Sequence, residues 1–420
     1  MKKSILILCV LLCAMSVFAK EFNVADFGAK GDGVTDNTEA FQKALDAAYP
    51  VGGTVFADSG NYFFKGHINV PVGVTLKGTY ESTVSNSGVR DKGMPLPTDR
   101  GTCLLVTEGE GTEEGPAFIT LNNSSTLKGV VIFYPNQKTD QIPTSYPWCV
   151  AMRGNNPNII DCELLNPYNG IDATDNQRHL VRNVTGQPLR RGIYTDNIYD
   201  IGRWENIHWN PWFSMSEPLW TWQKENGEAF IVGRSDWHYI TNCFCYGYYI
   251  GYRFIDGKNG PCNAQLLGIG ADGCSKCVVI DRCNQFGLMF VNAELVAFHG
   301  KNPVMIEIGE HNQGGVVMFQ NSSFWGSCDS NVVMKSGSLT LQSCNFVQWD
   351  GQNDGTAALR VLGGDLIVNS CRFQMNKNIM DIEKANSVIF SSNMAASKDN
   401  IKGKENTKFA ESANIFEYNK

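Results

Sequence analysis

The chain has 420 residues, with 35 Lys and Arg against 42 Asp and Glu, a formal net charge of −7 and a hydrophobic content of 43%. That apolar fraction excludes a globally disordered chain. The acidic balance, with an isoelectric point near 5.5, argues against bulk nucleic-acid binding.

Lys2 and Lys3 precede an apolar run from Ile5 to Val17, and Val17-Phe18-Ala19 supplies small residues at the −3 and −1 positions of a cleavage site. The run is short for a membrane span and reads as a secretory signal over residues 1–19, cut after Ala19, which places the mature protein outside the cytoplasm, secreted or periplasmic. No later stretch approaches eighteen consecutive apolar residues, so no membrane span is expected. Loss of the signal leaves a net charge of −9 and 12 of the 14 cysteines.

Residues 20–50 read as a short strand and a helix. Phe22–Val24 form the strand, and Gly28, Gly31 and Gly33 permit tight turns. Asp36 and Glu39 stand at capping-box spacing ahead of a helix with Phe41, Leu45 and Ala48 on one face. The glycine spacing does not follow either phosphate-loop order, and no Lys-Ser/Thr follows. This segment, continuing through GGTVFADSGNYFFKGHINVPVGVTLKG at 52–78, closely resembles the N-terminal signature of the pectate-lyase-like superfamily. The resemblance implies an all-β, single-domain right-handed parallel β-helix with an N-terminal capping helix.

Repeats carry that expectation along the chain. Asp161-Cys162-Glu163-Leu164, Ser343-Cys344-Asn345-Phe346 and Ser370-Cys371-Arg372-Phe373 share one pattern, and Asn321-Ser322-Ser323-Phe324 fits with Ser in the Cys place. Phe324, Phe346 and Phe373 follow at intervals of 22 and 27 residues. Such periods mark a solenoid whose coils bury one another's faces. A second unit, Gly-Ile/Leu, recurs at Gly170-Ile171, Gly192-Ile193 and Gly287-Leu288. One β-helix of roughly ten coils is expected over 51–395, with 396–420 as a cap or tail. Residues 80–116 and 210–227 read as excursions, the second holding Trp212, Trp220 and Trp222. The cysteines read chiefly as buried free thiols, with Cys344 and Cys371 stacked at equivalent positions; disulfides, and a metal site at Cys274-x-x-Cys277 with Cys283, are the alternatives weighed.

Charged and aromatic residues crowd into 168–254. If Ile171 and Ile193 point inward, strand alternation turns Asp172, Tyr194 and Asp196 outward. If Ile250 points inward, Gly251 and Arg253 turn outward. Asp196, Asp236 and Asp172 are therefore the expected catalytic carboxylates, because neighbouring carboxyls push their pKa values apart and divide the acid and base roles. Arg234, Arg253, Tyr194, Trp237, His208, Trp209, Trp212 and His238 are the expected substrate-binding groups: arginine orients carboxylates, aromatic faces stack on sugar rings and histidine shuttles protons.

The resemblance implies a polysaccharide groove without choosing the reaction. The chain has no Asp-Asp pair, its only His-Gly is His299-Gly300, and it lacks Arg-x-Pro-x-x-Arg, so the standard polygalacturonase and pectate-lyase sets do not carry over. A glycoside hydrolase with no cofactor is the leading expectation. A uronate lyase or epimerase, with Ca²⁺ as a cofactor in that case, and a non-catalytic glycan-binding surface protein are the alternatives. The Arg-rich run through Arg178, Arg182, Arg190, Arg191 and Arg203 keeps the lyase reading in play.

Overall fold

The computed structural model describes residues 21–85, 90–91, 100–396 and 400–417. The expected signal at 1–19 lies outside the described residues.

Among the described residues the strands pair in parallel, in a 27-stranded sheet, a 13-stranded sheet and a two-stranded one. In the 13-stranded sheet, Trp148–Met152, Asn169–Thr174, Arg191–Asp196, Glu228–Val232 and Ile250–Phe254 stack in register, with Val150, Ile171, Ile193, Phe230 and Tyr252 in one inward row. This sheet is face 1 of the coil. The longer sheet covers two faces, because its strands bend at a left-handed corner. Asp161, Asn183, Asn206, Asn242, Asn292, Asn321, Ser343, Ser370 and Ser392 hold this corner with φ between 52° and 59°, and Gly268 holds it at φ 63° in the coil between Asn242 and Asn292. Asn and Asp tolerate this backbone region because their short polar side chains bond locally. Residues before the corner form face 2 and those after it form face 3.

The corner explains the repeated motif. Its first residue makes the left-handed bend, the second is a small group turned inward, and the aromatic two residues later joins a stack in the core. Phe324, Phe346 and Phe373 follow one another at 4.9 Å and 4.5 Å between ring centroids. Cys344 and Cys371 sit side by side in the second position. Every cysteine among the described residues is a buried free thiol. Cys274 and Cys277 belong to this set, and no group of three or more metal-ligating side chains is assembled among the described residues.

The Gly-Ile units have a different cause. A Cβ on Gly170 would lie 2.3 Å from the Gly192 carbonyl oxygen, and one on Gly192 would lie 2.2 Å from that of Ala229. Only glycine permits so close an approach between coils. Gly251 corrects the expected alternation: its Cβ would meet the Ala271 Cβ and the Cys245 Sγ inside the coil. Two successive residues point inward at the start of this strand, and alternation begins only at Tyr252. Gly287 also differs, since it lies in Cys283–Val291 on face 2.

Helix α1 (Thr38–Ala48) buries Phe41, Ala44, Leu45 and Ala48 in the same core as Val55, Phe64 and Ile68. The 80–116 stretch is only partly an excursion, because Thr102–Val106 is a strand paired to Gly60–Phe64 and Val131–Phe133. The 210–227 stretch contains helix α2 (Leu219–Asn226). The two stretches meet over face 3: Val84, Phe213 and Leu219 share a second apolar cluster with Leu105, Phe133 and Leu165. The Asp91 carboxylate fastens them, accepting hydrogen bonds from Ser214 Oγ (2.7 Å) and the Met215 N–H (2.8 Å). Together they raise a wall over the first half of face 3.

Candidate functional site

The structure divides the expected cluster among three places. On face 1, Asp172, Tyr194 and Arg253 do project from one side of adjacent coils and line a groove of about 500 Å³ with Trp148, Arg191 and Glu228. Asp172 pairs with Arg153 and accepts hydrogen bonds from the Thr174 N–H (3.0 Å) and Oγ1 (2.7 Å). Tyr194 stacks on Trp148 at 6.3 Å, and its hydroxyl donates to Asp196 Oδ2 at 3.2 Å. Burial, then the charges of Asp196 and Asp172, push the Tyr194 phenol well up, so it stays protonated at neutral pH. Arg253 bonds both Glu228 (2.9 Å) and Asp281 (3.0 Å), and Arg191 bonds Glu113 (3.2 Å). The arginines of this groove are thus already matched by carboxylates.

Asp196 is occupied by the backbone. Its Oδ1 accepts from the N–H groups of Arg234 (2.6 Å) and Asn197 (2.9 Å). Gly257 and Gly233 leave room for it, since a Cβ on either would fall 2.3 Å or 2.6 Å from Oδ1. Asp196 therefore ties one coil to the next. Asp236 lies apart from Asp172, in a cleft at the entry to face 2, where it pairs with Arg234 at 2.9 Å beside Tyr199 and Trp237. The three carboxylates expected to act together do not share a site.

Two expected sugar-binding groups are core residues. Trp209 is fully buried against Phe230, and His238 is fully buried against Trp204 at 4.5 Å. Both follow from alternation, because Trp209 and His238 occupy inward positions of Arg203–Trp209 and His238–Thr241. His208, one residue from Trp209, faces out on face 3 and packs between Trp212 (5.0 Å) and Phe244 (4.9 Å). Burial lowers its pKa.

Phe244 leads to the third place, which the sequence reading missed. Beyond the wall, face 3 opens into a cleft of about 360 Å³ lined by Phe244, Asp272, Glu294 and Trp325. Asp272 and Glu294 project from adjacent coils, Gly270–Cys274 and Glu294–Ala297. Glu294 Oε1 accepts from the Trp325 indole N–H at 2.8 Å. Burial, then the neighbouring Cys274 and Glu294, push the Asp272 carboxyl above the usual carboxylate range. Trp325 is 40% exposed and offers its ring to the cleft. The combination is two carboxyls, one of them holding its proton to higher pH, between two aromatic walls. A sequence signal did exist: Glu294 stands at the outward middle position of the Cys-x-Phe pattern, in Ala293-Glu294-Leu295, and Asp272 directly follows the inward Ala271 that holds the place of the Phe.

The coil and its left-handed corner define a parallel β-helix. Residues 21–88 match the family model described as rhamnogalacturonase A/epimerase, pectate lyase-like. The chain is 60% identical over 47 residues to alginate lyase 7 of Azotobacter vinelandii, a match that covers 11% of this chain and 6% of that protein. Among solved structures it is similar to the N-terminal fragment of bacteriophage phi29 gene product 12, with a TM-score of 0.58 at 14% identity over 99% of this chain and 74% of that one. It is also similar to the catalytic unit of a GH87 alpha-1,3-glucanase from Streptomyces thermodiastaticus, with a TM-score of 0.54 at 12% identity over 94% of this chain and 69% of that one. At these identities the structural likeness speaks for the fold. No helix among the described residues is long and apolar enough to cross a membrane.

Proposed function

We propose that the protein is a secreted carbohydrate-active enzyme, a glycoside hydrolase whose cleavage site is the face 3 cleft. The observation that carries this reading is the pair Asp272 and Glu294, set on adjacent coils in one aromatic-walled cleft. Asp272, whose carboxyl burial pushes above the usual carboxylate range, is the proton donor to the leaving glycosidic oxygen, and Glu294 serves as the partner carboxylate. The Trp325 N–H orients Glu294, and the rings of Trp325 and Phe244 flank the sugar. The fold supports the reading in kind, since the GH87 structure it resembles is a glucanase.

A panel of neutral and acidic polysaccharides, read for new reducing ends and for absorbance near 235 nm, tests it. Reducing ends without absorbance are expected, with both Asp272→Asn and Glu294→Gln inactive. The basic limb of the rate–pH profile should lie above the usual range of aspartates, because the acid must keep its proton. Wild-type turnover in both variants would refute the assignment.

A second reading is favoured by the face 1 groove. There a protonated phenol, Tyr194, able to donate to a leaving glycosidic oxygen, shares one groove with the carboxylates of Asp172 and Glu228, either of which could take the proton beside a uronate carboxylate. The N-terminal match to an alginate lyase points the same way. An unsaturated product absorbing near 235 nm, lost in Tyr194→Phe and kept in Asp272→Asn, would move the chemistry to that groove.

A further inference from the structure

We propose that the cleft at the entry to face 2 is a separate, non-catalytic binding site for an uncharged glycan. The cleft measures about 570 Å³ and is lined by Tyr199, Arg234, Asp236, Trp237, Asn263 and Phe286, among others. Three of its rings face solvent: Tyr199 is 51%, Trp237 57% and Phe286 70% exposed.

Two separate departures from regular backbone bring aromatics to this spot. Trp237 has φ 59°, a left-handed conformation that a bulky side chain adopts only at a cost. The same column of the coil is left-handed at Asn156 (φ 55°), Arg178 (φ 56°), Ile201 (φ 44°) and Gly287 (φ 89°), so the bend belongs to the coil, and at Trp237 it carries an indole to the surface. Phe286 lies in a bulge, where Cys262 and Ala264 pair with Cys283 and Leu288 and the extra residues are thrown outward. Bulges re-aim side chains near functional sites. The fold has no need of either ring, since both are exposed.

The polar groups between the rings select the ligand. Arg234 and Asp236 neutralise each other at 2.9 Å, so the cleft offers a donor and an acceptor with no net charge. The Arg234 Nε is buried and has no hydrogen-bond partner. Asn263 and Asn284 add amides, joined at 3.3 Å. Flat apolar faces with balanced donors and acceptors match a pyranose ring, whose CH face stacks and whose hydroxyls both donate and accept. A uronate polymer would meet Asp236 with no surplus positive charge to offset it.

Affinity electrophoresis of the full chain through gels holding laminarin, xyloglucan, galactomannan, alginate or polygalacturonate tests the proposal. At least one neutral polymer should retard the wild type. Trp237→Asn and Phe286→Ala should each weaken that binding at least about tenfold, the scale of losing an aromatic anchor. Asp272→Asn should bind as the wild type does, so failure of this site and failure of the hydrolase reading are read separately. Trp237→Asn also places a suited residue at φ 59°, so its melting temperature should be equal to or above that of the wild type. Three results would overturn the proposal: no retardation of the wild type by a neutral polymer, unchanged retardation of both variants, or retardation lost in Asp272→Asn.

Discussion

The buried histidine pair sets a lower pH limit on the fold. His179 and His238 are fully buried, with ring centroids 5.4 Å apart. Between them lies Gly202, whose Cβ would fall 2.4 Å from His238 Cε1 and 2.7 Å from His179 Cε1. A coil without a side chain at this position is what lets the two imidazoles meet. The ring nitrogens of His179 are spoken for: Nδ1 donates to Asn176 Oδ1 at 2.7 Å, and Nε2 accepts from the Trp204 indole N–H at 3.1 Å. A proton on Nε2 would point one donor at another. His238 Nδ1 meets Ser235 Oγ at 2.9 Å, and its Nε2 is buried without a partner. Burial, then the nearby Arg203 charge, lowers the His179 pKa from 6.5 to about 3. His238 is lowered as well, by burial and by His179 and Arg203. Both folded-state values lie below the unfolded one, so the unfolded chain binds the extra protons. Stability is therefore full above pH 6.5 and falls as the pH drops below it. Each histidine costs about 1.4 kcal/mol per pH unit, which for His179 at pH 4.5 is about 3 kcal/mol. Urea unfolding followed by tryptophan fluorescence at pH 7.5 and 4.5 measures this for the wild type and for His179→Gln/His238→Gln. The double variant starts less stable but should lose less between the two pH values than the wild type does. Equal losses would show that the pair does not couple folding to protons in this range.

Further outcomes follow from the coil and the wall. Phe346→Ala removes the middle ring of the Phe324, Phe346 and Phe373 stack and should cost about 3 to 5 kcal/mol in chemical denaturation. The twelve cysteines from Cys103 to Cys371 should ignore a thiol reagent in the native state and react in full once unfolded, because burial raises thiols such as Cys149, Cys162 and Cys243 to about 12; fewer than two reactive thiols after unfolding would remove the ladder. The wall built by Val84, Phe213 and Leu219 stands over one end of face 3, so the proposed hydrolase should act on chain ends. Short products released from the first minutes, with little fall in polymer viscosity, check this, and a rapid drop in viscosity would contradict it.

The fold was legible in the sequence because it rests on positions that repeat. The Asn/Ser/Asp-Cys-x-aromatic pattern encodes a left-handed corner, a small inward group and a stacked ring, and those demands are the same in each coil. The coil number was less legible: about ten were expected, and the 13-stranded sheet counts more. Corners with Gly at φ 63° in Gly268, or with Val and Ile after the bend as in Val184 and Ile207, satisfy the same geometry with other residues and hide from a motif read by letters. Thr102–Val106 was hidden for another reason, since polar, Gly- and Pro-containing sequence on both sides masked a five-residue apolar strand.

The site was harder to read because a three-faced coil adds a variable that alternation does not contain. Alternation separates inward from outward, and it placed Asp172, Tyr194 and Arg253 correctly on an outer side. It does not say which of the three outer sides a residue joins. That depends on its distance from the corner: Asp196 ends a face 1 strand and Asp236 falls between faces, where carboxylates bond backbone N–H groups or a neighbouring arginine. Richness in charge and aromatics drew attention to 168–254, yet much of that richness holds the coil together, as with Trp204 against His179 and His238. Asp272 and Glu294 lie in sparser sequence, and neither stands out by composition. They stand out only when burial and the neighbouring coil are known, because the shift at Asp272 is produced first by the loss of water around it, then by Cys274 in its own strand and by Glu294 on the next coil. Candidate carboxyls of this kind are legible in the environment they share, and a β-helix assembles that environment from residues a full coil apart.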